Sequence, residues 1–447
     1  MNENNDQAIL EKTLGLAKKF GASDADAIMV RGLSLGVSVR HGALEDVERS
    51  EGSDLGLRVF VGQKQACVSS SSMDDGTLET MVERAIAMAK VAPDDPYCGL
   101  AELEDKSPQD PDTLDLFDNK ILLAENLEQL AKATESAAIN VKGISNSEGG
   151  SAGYGTSQVC LATSNGFSGS YRSSSFSLSV SAIAGEGVGM ERDYDYATTR
   201  HFADLPAPED IGLKAAQNTL RRLNPIIAKT QRVPIIFDPR VAGGLVGHLA
   251  GAINGSSIAR GTSFLKDCMG DRVFNDGISI IDDALLERGL RSKTFDGEGL
   301  ATGKNIYVED GMLKSWVLDS ATARQLKLKS TARASRGTSS APSPSVTNLY
   351  MNNGTISPAE LMADIKDGFY VTELIGMGVN NVTGDYSRGA TGLWIENGEI
   401  SYPVNGVTIT SNLKDMFLNM VQANDLEFKY STNAPTLRVE GMTIAGA

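Results

Sequence analysis

The 447-residue chain carries 41 Lys and Arg residues against 57 Asp and Glu residues, a formal net charge of −16. Nucleic-acid-binding proteins usually present a basic face, so this acidic balance argues against direct nucleic-acid binding. The chain begins with a polar stretch and lacks an apolar run of membrane-spanning length, so we expect a cytoplasmic protein with no membrane contact and two or three domains.

Residues 1–92 are predicted to form a small α+β unit. Apolar residues recur at helical spacing over residues 8–20 and again over about 77–91, before Pro93. Between these helices, from about 25 to 72, apolar and polar residues alternate as in hairpin strands. We therefore expect the helices to cover one face of an antiparallel sheet.

The next segment completes an N-terminal α+β region that we end at residue 225. Residues 93–118 are acidic and contain prolines, which is typical of a linker. A helix is predicted at about 119–139, followed by a Ser/Gly-rich meander of strands within residues 119–225 and a last helix at about 209–223. The Asn-Pro pair at 224–225 ends that helix.

Residues 226–447 are predicted to form a β-rich C-terminal domain, which makes the fold class α+β. Asp310-Gly311 and Asn397-Gly398 have the composition of tight hairpin turns. Residues 329–345 contain mainly Ser, Thr, Arg and Pro with almost nothing to bury, so we expect a mobile loop or a segment ordered by a partner. The predicted strands are 305–308, 315–318, 391–395, 407–409 and 436–439.

A helix starting at Pro239 contains one of only three histidines in the chain. It follows an apolar strand, Val233 to Phe237, with Asp238 as a suitable N-cap and Asn254-Gly255 as a stop signal. The three histidines, His41, His201 and His248, do not lie within helical spacing of one another. A zinc site needs three or four convergent ligands, so the residues predict no local metal cluster.

Another informative segment, Val382 to Ile400, places a glycine-hinged polar loop before a strand and a hairpin turn. Its donors, acceptors and arginine are held between rigid strands, which suits either a ligand contact or an ordinary turn. The candidate peptide-binding residues are Asp385, Tyr386, Ser387 and Arg388.

With these segments, the sequence resembles the TldD/PmbA family over essentially its full length, and within it the PmbA (TldE) branch. The resemblance implies the TldD/PmbA fold and an intracellular peptidase system of two related subunits that acts on peptides and unfolded segments. Older names describe the family as a modulator of DNA gyrase. The matching motifs are Gly384–Gly389, Ile395–Gly398, Thr347–Gly354, Asn412–Met416 and the Gly-Leu-Val-Gly-His helix that ends at His248.

The TldD branch carries a His-Glu-x-x-x-His motif on this helix, and a cysteine near the C-terminus completes its zinc site. The resemblance places the first His at Gly243, the Glu at Gly244 and the second His at His248. The corresponding tail, residues 428–435, contains no cysteine. Zinc hydrolysis needs a closed ligand shell and a general base. We therefore predict no catalytic residue and no zinc in this chain, and zinc in a TldD-type partner.

Three hypotheses follow. The first is a non-catalytic subunit of a zinc metallopeptidase that pairs with a TldD-type chain and contributes a substrate channel. The second is a metallopeptidase that acts through an unrecognised site. The third is a homodimeric binding or scaffold protein without proteolytic activity, since paralogous subunits often share an interface and the chain alone is then expected to form a homodimer.

Overall fold

The structure, a computed structural model, describes residues 3–103 and 108–446. It confirms the α+β class, with a sheet-and-helix region followed by a β-rich domain. Within the described residues, no helix combines the length and the apolarity needed to cross a membrane. The helices are α1 Glu3–Lys19, α2 Asp75–Val91, α3 Ala124–Ile139, α4 Pro208–Leu220, α5 Pro239–Ala252, α6 Gly255–Ala259, α7 Ser320–Leu326, α8 Pro358–Met362 and α9 Leu413–Leu418.

The N-terminal region is built on one antiparallel sheet of six strands in the order β3-β2-β1-β4-β5-β6. The small unit and the meander predicted from the sequence share this sheet, because Val30 of β1 pairs with Val159 of β4. The strands are β1 Asp24–Arg40, β2 Ala43–Val61, β3 Lys64–Ser70, β4 Ile144–Thr163, β5 Ser168–Ala184 and β6 Glu191–Thr199.

The two faces of this sheet have different coverings, because successive strand residues point to opposite sides. Ala27 and Met29 of β1 join the apolar core beneath α1 and α2. On the other face Ile28 and Leu161 pack against Phe295 of the C-terminal domain. At this end the sheet therefore lies between its own helices and the second domain.

The C-terminal domain contains a six-stranded sheet, β16-β15-β14-β7-β19-β17, and a five-stranded sheet, β10-β9-β8-β13-β18. Helix α5 contacts β7 and β14 of the first sheet and β13 and β18 of the second, so it lies between them. The strands are β7 Gln231–Phe237, β8 Ile280–Asp283, β9 Lys304–Glu309, β10 Met312–Leu313, β11 Ala334–Ser335, β12 Ser343–Pro344, β13 Leu349–Met351, β14 Asp367–Ile375, β15 Asp385–Glu396, β16 Glu399–Asn412, β17 Met420–Gln422, β18 Thr432–Asn433 and β19 Leu437–Ala445.

Most predicted elements are present, with two differences. The strand predicted at 315–318 is wrong: that segment is irregular and makes an isolated bridge from Val317 to Asn254. The helix predicted from 119 begins only at Ala124. Residues 104–107 of the predicted linker lie outside the described residues. Both hairpin turns are confirmed, with positive φ at each central residue, as at Asn397 (51°) and Gly398 (84°).

Residues 329–345, here called the interdomain strap, bury two arginines. Arg333 pairs with Asp282 of β8, and Arg336 pairs with Asp26 of the N-terminal sheet; both arginine side chains are 0% exposed. The strap backbone at Thr338 also lies directly against Gly56 of β2. The prediction that this segment has almost nothing to bury is therefore wrong. Its arginine side chains are buried because each one forms an ion pair with a buried aspartate.

Glu298 lies buried near the strap, where its Oε2 accepts a hydrogen bond from the Ser320 backbone N at 2.9 Å. Burial, with the nearby Asp296, raises the pKa of Glu298 to about 7. A carboxyl whose folded-state pKa is raised loses stability as pH increases from its unfolded pKa through the folded value.

We expect the Glu298→Gln variant to gain stability relative to wild type as pH rises from 5 to 8, because Gln stays neutral. The relative gain is on the order of 2–3 kcal/mol at pH 8, at 1.36 kcal/mol per pKa unit. Thermal unfolding of both proteins across this pH range measures it. Glu83→Gln, on the exposed face of α2, is the control. A stability difference that does not change with pH would contradict the prediction.

Candidate functional site

Helix α5 forms the centre of the candidate site. It begins as predicted, because the Asp238 carboxylate accepts from the Arg240 backbone N at 2.9 Å and Pro239 occupies the first turn. Helix α5 ends at Ala252, and Asn254 is the N-cap residue of the next helix, α6. One face of α5 is buried in the domain core, and the other is open: an added Cβ would meet no atom within 4 Å at Gly244, Gly247 and Gly251.

Gly243 and Gly244, the two positions to which the resemblance assigns the His and Glu of the TldD-branch motif, have different surroundings. A Cβ at Gly243 would lie 2.7 Å from the Thr432 carbonyl oxygen, which belongs to the C-terminal tail. A Cβ at Gly244 would meet nothing within 4 Å. Residue 243 is thus closed by the tail backbone, whereas residue 244 opens to solvent.

His248 packs against Tyr386 of β15 and is influenced by the charge of Arg388. Its ring packs edge-on to Tyr386, with centroids 6.0 Å apart, and Tyr386 is only 1% exposed. Burial, and then the positive charge of Arg388, lower the pKa of His248. Burial raises the pKa of Tyr386. At neutral pH the imidazole is therefore neutral and the phenol keeps its proton.

The Tyr386 hydroxyl is buried without a hydrogen-bond partner among the described residues. A buried hydroxyl without a hydrogen-bond partner destabilises the folded state by about 1–3 kcal/mol, unless another group accepts a hydrogen bond from it. Because that hydroxyl is inaccessible, the partly exposed Arg388 is the candidate that can donate to a carbonyl or carboxylate oxygen near α5.

Asp385 and Ser387 lie on the opposite face of β15 and are exposed. The Asp385 carboxylate closes its own turn by accepting from Thr383 Oγ1 at 2.6 Å and Asn412 Nδ2 at 3.2 Å. These two hydrogen bonds lower the pKa of Asp385. Of the four candidates, the structure thus brings only Tyr386 and Arg388 to His248.

The backbone of the four candidates is occupied on both sides. Residues 385–388 pair with β16 on one side. On the other side, Ser387 N donates to the Gly378 carbonyl at 2.7 Å, and Asn380 N donates to the Asp385 carbonyl at 2.9 Å. An extended peptide therefore has no free strand edge at this point, and these residues have only side chains to offer.

The donor set around α5 does not fit a zinc ion. His248 is the sole His, Cys, Asp or Glu at the aligned motif positions, and its neighbour Arg388 is a cation. Zinc sites instead use three or four nitrogen, sulfur or carboxylate ligands. Within residues 3–103 and 108–446, no group of three or more His, Cys, Asp or Glu side chains is arranged to hold a metal ion. The other two histidines lie elsewhere, with His201 Nε2 2.8 Å from the Asp115 carbonyl.

A polar network at the start of α5 was not predicted from the sequence. Arg240 Nη1 donates to Asp193 of β6 at 2.9 Å, and the Tyr370 hydroxyl lies 3.0 Å from Asp238 Oδ2. The Arg240–Asp193 contact holds the edge of the N-terminal sheet against α5, and the Tyr370–Asp238 contact joins β14 to the N-cap of α5. Their partners lie 47 and 132 residues apart, so no local pattern in the sequence indicates them.

An aromatic cluster beside this network was also missed. Tyr194 and Tyr196 of β6 pack together, and Tyr196 packs on Tyr430 of the C-terminal tail with ring centroids 5.5 Å apart. The Tyr-Asp-Tyr alternation at 194–196 is a local signal that places both rings on one face of a strand.

Three family models cover most of the chain. Residues 25–89 match PmbA/TldA metallopeptidase domain 1, residues 107–223 match its central domain, and residues 230–446 match its C-terminal domain. The three matches occur in chain order and together extend over most of this chain.

Individual proteins show the same likeness. The chain is 37% identical over 443 residues to Metalloprotease PmbA of Escherichia coli O157:H7, covering 98% of this chain and 96% of that protein. It is 36% identical over 434 residues to the Metalloprotease PmbA homolog of Haemophilus influenzae, covering 96% and 94%.

Solved structures share the fold. A Bacteroides thetaiotaomicron protein described as a candidate modulator of DNA gyrase superposes with a TM-score of 0.91 at 25% identity, covering 100% of both chains. TldE from Thermococcus kodakarensis superposes with a TM-score of 0.87 at 21% identity, covering 98% of this chain and 100% of that one.

Proposed function

The chain belongs to the PmbA/TldD metallopeptidase family, and from this membership we propose that it is the catalytically silent, PmbA/TldE-like subunit of a two-component cytoplasmic zinc peptidase. Its partner is a TldD-type paralogue that holds the zinc. The substrates are peptides and unfolded protein segments. This chain contributes assembly and one wall of the substrate channel.

The proposal rests on the residues that α5 carries at the motif positions. The aligned positions hold Gly243 and Gly244 in place of a ligand and a base, and the tail backbone at Thr432 fills the space beside Gly243. Peptide hydrolysis at a metal requires both an activated water and a group that takes its proton. His248, packed on Tyr386, is a single nitrogen donor, and one donor neither completes a zinc ligand shell nor replaces the absent carboxylate base.

The same helix supports a binding role. The open glycine face of α5 lets a peptide backbone approach closely, since no side chain stands in the way. The partly exposed Arg388 supplies guanidinium donors for backbone carbonyl oxygens, while the buried Tyr386 packs against His248. Asp385 and Ser387 remain proposed contacts through their exposed side chains.

The test is hydrolysis of a fluorogenic unstructured peptide by the purified full chain, by its TldD-type partner, and by the mixture, with and without a chelator. We expect cleavage by the mixture, abolished by chelation, and no cleavage by this chain alone. Elemental analysis of the untagged chain is expected to find less than stoichiometric zinc.

Two results would contradict the proposal. Chelator-sensitive cleavage by this chain alone would favour a metallopeptidase with an unrecognised site. A homodimer that never co-elutes with the partner and leaves its activity unchanged would favour a binding or scaffold protein. In the same assay, an Asp385→Ala/Arg388→Ala variant that leaves the rate of the mixture unchanged would remove these residues from the proposed channel.

A further inference from the structure

The outer strand of the N-terminal sheet, β6, lies beside α5. It ends the order β3-β2-β1-β4-β5-β6 and pairs only with β5 among the described strands, and at Asp193 its backbone N donates to Thr219 Oγ1 of α4 at 3.1 Å. Arg240 of α5 holds β6 in place through Asp193, and it also donates to the Tyr194 carbonyl at 3.4 Å. This edge is therefore fixed next to the candidate site rather than pointing away from it.

The face of β6 that points away from α4 carries two half-exposed tyrosines. Tyr194 is 38% exposed and Tyr196 is 40% exposed, whereas the intervening Asp195 is buried on the opposite face. Tyr430 extends this surface from the tail, and the Arg240 guanidinium lies 5.9 Å from the Tyr194 ring centroid. We call Tyr194, Tyr196 and Tyr430 the tyrosine wall.

The tyrosine wall is continuous with α5. Tyr430 precedes Thr432 by two residues, and the Thr432 carbonyl touches the helix at Gly243. Across the sheet, Ser181 and Ser179 of β5 lie opposite Tyr194 and Tyr196. Directly opposed residues of an antiparallel pair share one face, so serine hydroxyls border the rings. Burial raises the pKa of Tyr196, which stays protonated and neutral.

Aromatic rings and arginine are the residue types that dominate binding energy at protein interfaces. An aromatic surface bordered by hydroxyls suits an extended peptide with a large apolar side chain. A charged or small side chain would leave the rings exposed to water and gain little from this surface.

We propose that the tyrosine wall is an aromatic subsite that binds a large apolar side chain of the peptide substrate next to α5. This inference rests on the proposed function for the identity of the ligand as a peptide. It assigns substrate preference to a chain that performs no hydrolysis.

The experiment measures binding, so that it does not depend on cleavage. Two fluorescein-labelled, Ser/Gly-rich ten-residue peptides, with either Phe or Ser at the central position, are titrated with the full chain and with its mixture with the TldD-type partner. A chelator prevents cleavage, and fluorescence anisotropy reports the Kd. We expect the Phe peptide to bind about tenfold more tightly than the Ser peptide.

Two double variants test whether the preference for Phe depends on the aromatic rings of the tyrosine wall. Tyr194→Ser/Tyr196→Ser is expected to abolish the preference, and Tyr194→Phe/Tyr196→Phe is expected to keep it because the rings remain. Tyr97→Ser removes a tyrosine that is 37% exposed outside the wall and should change nothing. Should the double Ser variant fail to fold, Tyr430→Ser on the tail tests the same surface.

Equal affinities of the wild-type protein for the two peptides, or a preference that survives removal of the rings, would overturn the aromatic subsite. A Phe preference in binding, with no chelator-sensitive cleavage by the mixture in the hydrolysis assay, would overturn the proposed function and leave the subsite standing. Chelator-sensitive cleavage by the mixture without a Phe preference in binding would overturn the aromatic subsite and leave the proposed function standing.

Discussion

Replacement of Asp26 by Ala is expected to destabilise the protein by about 3–5 kcal/mol, since it leaves two buried guanidiniums without their shared carboxylate. Asp26 is 1% exposed, and it accepts from Arg58 of the adjacent strand and from Arg336 of the interdomain strap. Although burial raises the pKa of Asp26, Arg58 and Arg336 outweigh that effect and hold the pKa below its usual value.

Chemical denaturation of wild type and Asp26→Ala measures this loss. Asp46→Ala, on the exposed part of β2, is the control and is expected to change stability by less than about 0.5 kcal/mol. Loss of Asp26 also removes the strap's ion pair with the N-terminal sheet, so we expect faster trypsin cleavage after Arg333 and Arg336. A variant as stable and as protease-resistant as wild type would show that the strap is held by other contacts.

The interdomain strap is a segment whose burial could not be predicted from the sequence. Local patterns predicted the helices α1 to α5, the hairpin turns and the strand before α5, because these depend on periodicity and caps within a few residues, but they did not predict the short helices α6 to α9. The burial of Arg333 and Arg336 depends on acidic partners 51 and 310 residues away along the chain. A polar composition alone cannot distinguish an arginine in solvent from one paired inside an interface.

The candidate site also combines features that the sequence predicted with features that only the fold shows. The sequence located α5, His248 and the β15 residues, because each belongs to a short segment with a recognisable composition. It did not indicate that Tyr386 and Arg388 would face His248 while Asp385 faces away, which follows from the strand's alternation relative to α5. The tyrosine wall combines β6 with a tail more than two hundred residues later, so only the fold brings it together.

Restoring the aligned motif residues is expected to damage the protein without creating a zinc site. The Gly243→His/Gly244→Glu variant places a side chain where Cβ alone would lie 2.7 Å from the Thr432 carbonyl oxygen. Overpacking of this kind costs about 1–3 kcal/mol and displaces the backbone. The tail also lacks the cysteine that the TldD branch uses, so the restored pair gains no third ligand from it.

Single substitutions separate the two positions. Gly243→Ala is expected to lower the free energy of unfolding, because the added methyl meets the tail backbone. Gly244→Ala meets nothing within 4 Å and is expected to raise it by up to about 1 kcal/mol through helix propensity. Thermal denaturation and elemental analysis of the variants check both expectations. Stoichiometric zinc in a fully stable double variant would contradict this expectation, because it would mean that the tail backbone moves readily and that two side chains are enough to create a zinc site.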